Sequence, residues 1–431
     1  MRISSNKTDS FVLSSRRSQL HGDRPKKTMT TPSPTALQFV ERAKSLSTKF
    51  ATTAAEYDHS GDFAFANIEA LNEAGLLTLP IRSAAGGPGL GLGVAQTVVG
   101  WIAQGDASTA LVLTMHYMQH AAIAQRDNWP ESLALKLEQE SLGGISLVNA
   151  LLAEPDVGSI TRGGVPGTVA HKVDGGWRLT GWKAYATGIP ALSWLVVLAR
   201  FEDGEQPRVG AVLIPRSAPG IQVKPTWDHA GMRATHSHDV YLDGVFVPDD
   251  HVLSQRSSQT PTGSAPDRGS VTMLWYTGLA GAIYDGIARA ARDWLVQFLN
   301  TRVPTNLGAP LASVARLQEA VGGIEILLGT NAVLLRDFAA QVDAGGDPAA
   351  LAAAGALLKH VIVDNAVEVT SRALDLAGNR GLSRRSPLER FLRDALCGRI
   401  QAPQNDLLRV AAGNAALARA AAAAKASPVT P

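Results

Sequence analysis

Residues 168–247 interrupt an otherwise helical chain with short strand-like runs, and that interruption constrains the fold most. Thr168-Val169-Ala170, Arg178-Leu179-Thr180, Ser193 to Ala199, Val209 to Ile214, Ile221 to Lys224 and Asp239 to Val247 are rich in residues that favour strands, and Gly, Asp and Pro separate them. Several short strands with regular turns predict a small β-sandwich or barrel. On the N-terminal side, residues 34–145 read as helices: Phe39, Ala43 and Leu46 fall at helical spacing, as do Ile68 and Leu71 ahead of Gly75. Ser83 to Gly89 is a loop, residues 96–104 suit a helix, and Asp106-Ala107-Ser108 caps an apolar helix running from Thr109 to about Ala124. Residues 256–269 are mostly Ser, Thr, Pro and Gly, as in a linker. Beyond it, alanine-rich helices fit 270–300, 313–343, 347–377 and 387–425, punctuated by Gly345-Gly346 and Gly378-Asn379-Arg380-Gly381. Long helices with short connections predict a four-helix bundle. The expected class is α+β: a leader (1–33), a helical domain (34–145), a β domain (146–255) and a bundle (270–425).

Composition narrows the function. A chain of 431 residues exceeds one ordinary core. No apolar run approaches the length of about 18 residues needed to span a bilayer, so no membrane partner is expected. The single cysteine, Cys397, excludes a disulfide scaffold and a thiolate metal cluster. The net charge of +2 divides into +5 for residues 1–28 and −3 for the rest, which gives no reason to expect nucleic acid. The leader is rich in Ser and Arg and poor in acids. It reads as a transit peptide or as sequence ahead of a true initiator at Met29, and it is expected to carry no chemistry. His236-x-His238 is the closest histidine pair and lacks an obvious set of further ligands, so no metal is expected.

Ala153-Glu154-Pro155-Asp156-Val157-Gly158-Ser159 forms a tight loop with a glycine and a hydroxyl. Asp174-Gly175-Gly176-Trp177-Arg178-Leu179-Thr180-Gly181-Trp182-Lys183 then gives a hairpin turn and a strand ending in Gly-x-Lys. With Gly86-Gly87-Pro88-Gly89, Asp106-Ala107-Ser108, Gly231-x-Arg233, Val245-x-Val247-Pro248 and Arg393-Asp394, in that order, this resembles the acyl-CoA dehydrogenase family over roughly residues 35–415. The resemblance implies the family's three-domain arrangement, bound FAD, and α,β-desaturation of an acyl thioester with hydride passing to flavin N5. It also implies an electron-transfer partner, a homotetramer and a cytoplasmic enzyme.

Flavin binding needs amides and a hydroxyl at the pyrophosphate, a flat side chain on the ring and a donor near N5. By the resemblance, Leu151 to Ala153 lie along the ring and Ser159 meets the pyrophosphate. Ala153 replaces the family's threonine, so one hydroxyl is missing. Tyr185-Ala186-Thr187-Gly188 matches the family's W-I-T-N: Tyr185 keeps an aromatic face and Thr187 a hydroxyl for the N5 region. Arg302, Gln318 and Gly378 match residues that reach the adenine end from a neighbouring subunit, and Gln404 is a further cofactor contact.

The catalytic base departs from the pattern. A base must reach the substrate's α-carbon, and the family's usual glutamate, counted on from Arg393-Asp394-Ala395, falls at Ala402. The alternative family position falls at Val271. Asp406 and Asp285 are the remaining candidates, and Glu154 reads as structural. The fold also serves two-component flavin monooxygenases, which take reduced flavin from a reductase and need no such base; Tyr185-Ala186-Thr187-Gly188 resembles the wording of that branch. His116, His229, His236 and His238 are the candidate histidines for that branch, but its late histidine has no match, since none follows His360. Desaturation, the commoner use of the fold, is the first expectation and monooxygenation the alternative. A non-catalytic homologue is the third, opposed by Ser159, Tyr185 and Thr187.

Overall fold

The structure, a computed structural model, describes residues 34–125, 129–156, 165–204, 208–257 and 270–426. The leader, most of the 256–269 linker, and Ser159 with its neighbours in 157–164 lie outside the described residues.

The chain begins with α1 (Pro34–Ala51), α2 (Ala54–Ser60), α3 (Phe65–Glu73), α4 (Leu92–Gly105), α5 (Ala107–Ala124) and α6 (Glu131–Gly143). Asp106 starts α5 as expected: its carboxylate accepts from the amides of Ser108 (2.9 Å) and Thr109 (3.4 Å) and from the Thr109 hydroxyl (2.9 Å). α5 is buried on nearly every face because it is wedged between the β domain and the bundle. The free amides that begin α4 are capped from a distant helix, with Leu92 N and Gly93 N donating to Asp343 at 2.7 and 3.0 Å.

Next come β1 (Leu147–Leu151), β2 (Val169–Val173), β3 (Gly176–Ala186), β4 (Leu192–Glu202), β5 (Arg208–Pro215), β6 (Ile221–Lys224), β7 (His238–Pro248) and β8 (Val252–Ser257). They hydrogen-bond in the order β6-β7-β3-β2-β4-β5-β8, with β1 also on β4. One edge of β4 serves two partners in turn: Leu192 to Val197 pair in parallel with β1, and Arg200 to Glu202 with β2. β1 and β8 are additions to the sequence reading.

The C-terminal part holds α7 (Val271–Thr301), α8 (Ala315–Asp343), α9 (Pro348–Ala377), α10 (Leu388–Ile400) and α11 (Asn405–Ala426). The single helix expected over 387–425 is therefore two. Pro403 has no amide to donate and disfavours helical geometry in the residue before it, so the helix stops at Ile400 and restarts at Asn405. α7 is the spine, packing against α4, α5, α8, α9 and α10, and one continuous core runs from Phe50 through Leu111 and Val197 to Ile283 and Ile362. The stretch Pro348–Arg380 is long and apolar enough, by composition, to cross a membrane. In this fold α9 buries Leu351, Leu358, Ile362 and Val363 in the bundle instead.

Candidate active site

β3 ends in a kink. Tyr185 has φ +60°, a left-handed conformation that costs an L-residue about 1–2 kcal/mol, and the residue stays 58% exposed. Non-glycine residues held this way cluster at functional sites. Thr187 N turns back onto Tyr185 O (2.9 Å), and Asn149 of β1 donates to Thr187 O (3.0 Å). Gly188 follows at φ +77°, where an added Cβ would stand 3.0 Å from Val112 of α5.

A line of buried hydroxyls runs inward from there. Thr187 Oγ1 lies 2.9 Å from Ser237 Oγ, Ser237 Oγ lies 2.8 Å from Thr235 Oγ1, and Thr235 Oγ1 donates to Met232 O at 2.9 Å. Met232 N donates to Asp394 of α10 at 2.6 Å. On the outer side, Trp227 and His229 stack at 3.6 Å, and both stand edge-on to Tyr185 at 6.3 Å. Desolvation lowers the His229 pKa against the pull of Asp228 and Asp239.

α10 locks onto this loop. Arg393 donates to Ala230 O (2.5 Å) and pairs with Asp58 of α2 (2.6 Å). A Cβ on Gly231 would stand 2.4 Å from Arg393 O, so this close approach requires the glycine of the Gly-x-Arg signature. Burial pushes Asp394 up to about 7; it lines a small cavity with Asp58, Asp106, Ser108 and Arg390, where the helical, β and bundle segments meet. About 10 Å further along α10, the connector 401–404 carries Ala402. Lys359 of α9 holds it, donating to the carbonyls of Gly398 (2.7 Å), Gln401 (3.0 Å) and Pro403 (2.9 Å) and to Asn405 Oδ1 (3.0 Å). Burial lowers the Lys359 ammonium to about 8. Tyr284 of α7 adds a bond to the Gln401 side chain at 2.8 Å.

Family models for the acyl-CoA dehydrogenase N-terminal, middle and C-terminal domains match residues 33–129, 149–245 and 279–406. The chain belongs to the acyl-CoA dehydrogenase family. It is 32% identical over 370 residues to the putative acyl-CoA dehydrogenase YdbM of Bacillus subtilis, covering 86% of this chain and 94% of that protein. It is 29% identical to L-evernosamine nitrososynthase of Micromonospora sp. (82% of this chain, 84% of that protein) and 27% identical to dibenzothiophene monooxygenase of Mycolicibacterium goodii (82% and 88%). The solved structure of butyryl-CoA dehydrogenase from Megasphaera elsdenii superposes with a TM-score of 0.80 at 22% identity, over 90% of this chain and all of that one. That of KijD3 with FMN and a dTDP-linked amino sugar does so at 0.72 and 25%, over 87% and 91%.

The acyl-CoA dehydrogenase signatures assemble only in part. Leu151 is buried at the end of β1 opposite Val197 of β4, and Ala153 O accepts from Ala184 N at 2.9 Å, which sets Ala153 beside the end of β3 that carries Tyr185. Glu154 is spent on structure: Lys183 (2.5 Å), Gly167 N (2.6 Å) and Thr168 N (3.1 Å) all donate to it. Arg302, just past the end of α7, and Gln318, in the first turn of α8, are both exposed; Leu311 N donates to Arg302 O and Gln318 Nε2 to Ala312 O, both at 2.9 Å. Gly378 is exposed at the end of α9, and Gln404 is half-buried just before α11. Asp285 is occupied within the bundle by Arg289 (2.6 Å) and Asn331 (3.0 Å), and Asp406 is exposed with its carboxylate on its own Leu407 N (2.8 Å). His116 is buried, bridging Leu77 O and Val148 N, and burial lowers it to about 4; His236 meets Gly61 O and His238 accepts from Trp227 N.

The exposed Tyr185 ring beside the Trp227–His229 stack, with a hydroxyl at its foot, suits a flat heteroaromatic group with a polar edge. The residues present fit a flavin ring. Asn149, Trp227, Ser237 and Lys359 were not foreseen as site residues. The signal for Asn149 was legible, since a polar side chain amid Leu147, Val148, Ala150 and Leu151 needs a partner.

Proposed function

We propose that the chain is a flavin-dependent monooxygenase that accepts reduced flavin from a separate reductase and oxidises a small organic molecule with oxygen. What supports this reading is the connector after α10, where the family resemblance puts Ala402 at the position of the usual glutamate, together with Glu154, Asp285 and Asp406, whose carboxylates each accept a hydrogen bond within the fold. The likeness to a nitrososynthase and a dibenzothiophene monooxygenase supports it. A bound flavin would supply the redox chemistry. Tyr185 would give the ring a flat face, Leu151 to Ala153 would line its edge, and Thr187 would meet the N5 region. The Trp227–His229 stack would shield the rim from water. Arg302, Gln318 and Gly378 of a second copy, together with Gln404, are the proposed contacts for the adenine end of FAD, and release of the flavin by denaturation distinguishes FAD from FMN.

α,β-Desaturation of an acyl thioester is the second reading, favoured by the 32% identity to YdbM. One experiment separates the two. Anaerobic addition of a panel of acyl thioesters to the flavin-loaded protein should leave the flavin oxidised, while a supplied reductant with oxygen should drive oxygen into a small-molecule substrate. Bleaching by any acyl thioester would overturn the monooxygenase reading.

A further inference from the structure

The loop between β6 and β7, residues 225–237, is held in an unfavourable backbone conformation. Met232 has φ +52° and His236 φ +44°, left-handed values that a non-glycine residue keeps only where its surroundings over-determine them. One of its holds is Asp394 of α10, which is 6% exposed and accepts from Met232 N at 2.6 Å. Among the described residues no other group donates to this carboxylate and no cation forms an ion pair with it. An ionised carboxylate has room for about four donors, so a single amide leaves its charge poorly compensated in a buried place.

The surrounding groups do not make up the deficit. Arg393 is committed to Asp58 of α2 (2.6 Å) and to Glu389 (2.7 Å). Arg390 shares the small cavity with Asp394, but it lies over the Phe391 ring and donates no hydrogen bond to a described residue. Arg233 of the loop turns to Asp58 O (2.6 Å) and Asp228 (3.3 Å). Asp58 faces Asp394 as a like charge, and Asp106 lines the same cavity with its own carboxylate already held by Ser108, Thr109 and Asn67. Burial keeps the nearby Tyr284 and Cys397 protonated.

We propose that Asp394 is a pH-sensitive latch: in its neutral form it seals α10 against the 225–237 loop, and its ionisation releases the loop. The loop carries the Trp227–His229 stack beside Tyr185 and brings Ser237 to Thr187, so its release uncovers the candidate site. Asp394 is thus a positioning residue acting through Met232, whatever reaction the site performs. The sign follows from linkage. Burial pushes Asp394 up to about 7 in the closed loop, and solvent in the opened loop returns it to about 3.9. Closing therefore takes up a proton. The closed form loses up to about tenfold per pH unit between those two values and loses no more above the higher one. His229 and His238, both lowered by burial, pull the other way and favour closure as pH rises.

Hydrogen exchange of the full chain tests this, with rates of the 229–237 amides divided by their intrinsic rates from about pH 5 to pH 9. In wild type the opening constant should rise by up to about tenfold per unit and level off near pH 7. The α9 amides should show no such rise. Asp394→Asn keeps an acceptor for Met232 N and cannot ionise, so the rise should vanish or reverse. Arg390→Met tests the same acid without touching it: loss of the nearby cation should move the levelling point to higher pH. A wild-type loop whose opening does not rise between about pH 5 and pH 7, a rise shared equally by α9, or a rise that persists in Asp394→Asn would each overturn the inference.

Discussion

Lys183 and Glu154 were legible as motif letters, but not as partners: 29 residues separate them, and only the β-domain packing brings the ammonium to 2.5 Å from the carboxylate. Burial raises the Glu154 pKa, and Lys183 with the amides of Gly167 and Thr168 more than offsets it, holding the carboxyl below its usual range. Lys183→Met should destabilise the protein by about 3–5 kcal/mol, because it strands a buried charge. Urea unfolding at pH 7 checks this, and a loss below about 1 kcal/mol would show the pair to be dispensable. The sign with pH follows from the depressed carboxyl. Its contribution is complete above the unfolded value of about 4.3 and is lost as pH falls through the lower folded value. The gap between wild type and variant should therefore narrow below about pH 4. Tyr185 and Thr187 entered the candidate site through a resemblance, whereas Ser237 did not, because its contact with Thr187 depends on a loop folding back onto β3.

The elements were read best where periodicity or a cap was strong, as at α1, α5 and α7. β1 escaped because a short, almost wholly buried parallel strand shows no alternation. The break between α10 and α11 hung on Pro403 outweighing a helical pattern on both sides. Asp343 acts across elements: its carboxylate caps α4 although it belongs to α8, a link invisible at a separation of 251 residues. Asp343→Ala should cost about 0.5–2 kcal/mol, as other N-cap losses do, measured by chemical denaturation; no change would mean that water replaces the cap. α5 also carries His116, which burial lowers to about 4, with His120 lowered beside it. A histidine kept neutral in the fold but protonated when unfolded makes stability rise with pH between those two values. His116 alone should account for about 2 kcal/mol lost between pH 7 and pH 5. His116→Gln should flatten that slope, and an unchanged slope would reject the assignment.

At the scale of the whole molecule, the order of helix, strand and helix was plain in the sequence, and the three segments share one core through α7. What one chain leaves uncovered is also telling. Ile326, Val410 and Leu417 stand 72%, 59% and 72% exposed on α8 and α11, and the described outer half of α11 touches solvent on every side. We propose that a second copy of the chain covers these side chains, since closed symmetry is the common way to bury such surface. Light scattering should return a tetramer of the 45.3 kDa chain, and a monomer that retains flavin would refute this. Lys359 bears on a different history. One ammonium on α9 grips four oxygens of the segment around Ala402, so the course of that segment is dictated from outside it. Gln401 and Asn405 add their own side chains to that grip, whereas Ala402 brings only a methyl group to the frame that its neighbours set. A change at Lys359 should therefore unseat the whole connector, while one at Ala402 should leave its course intact.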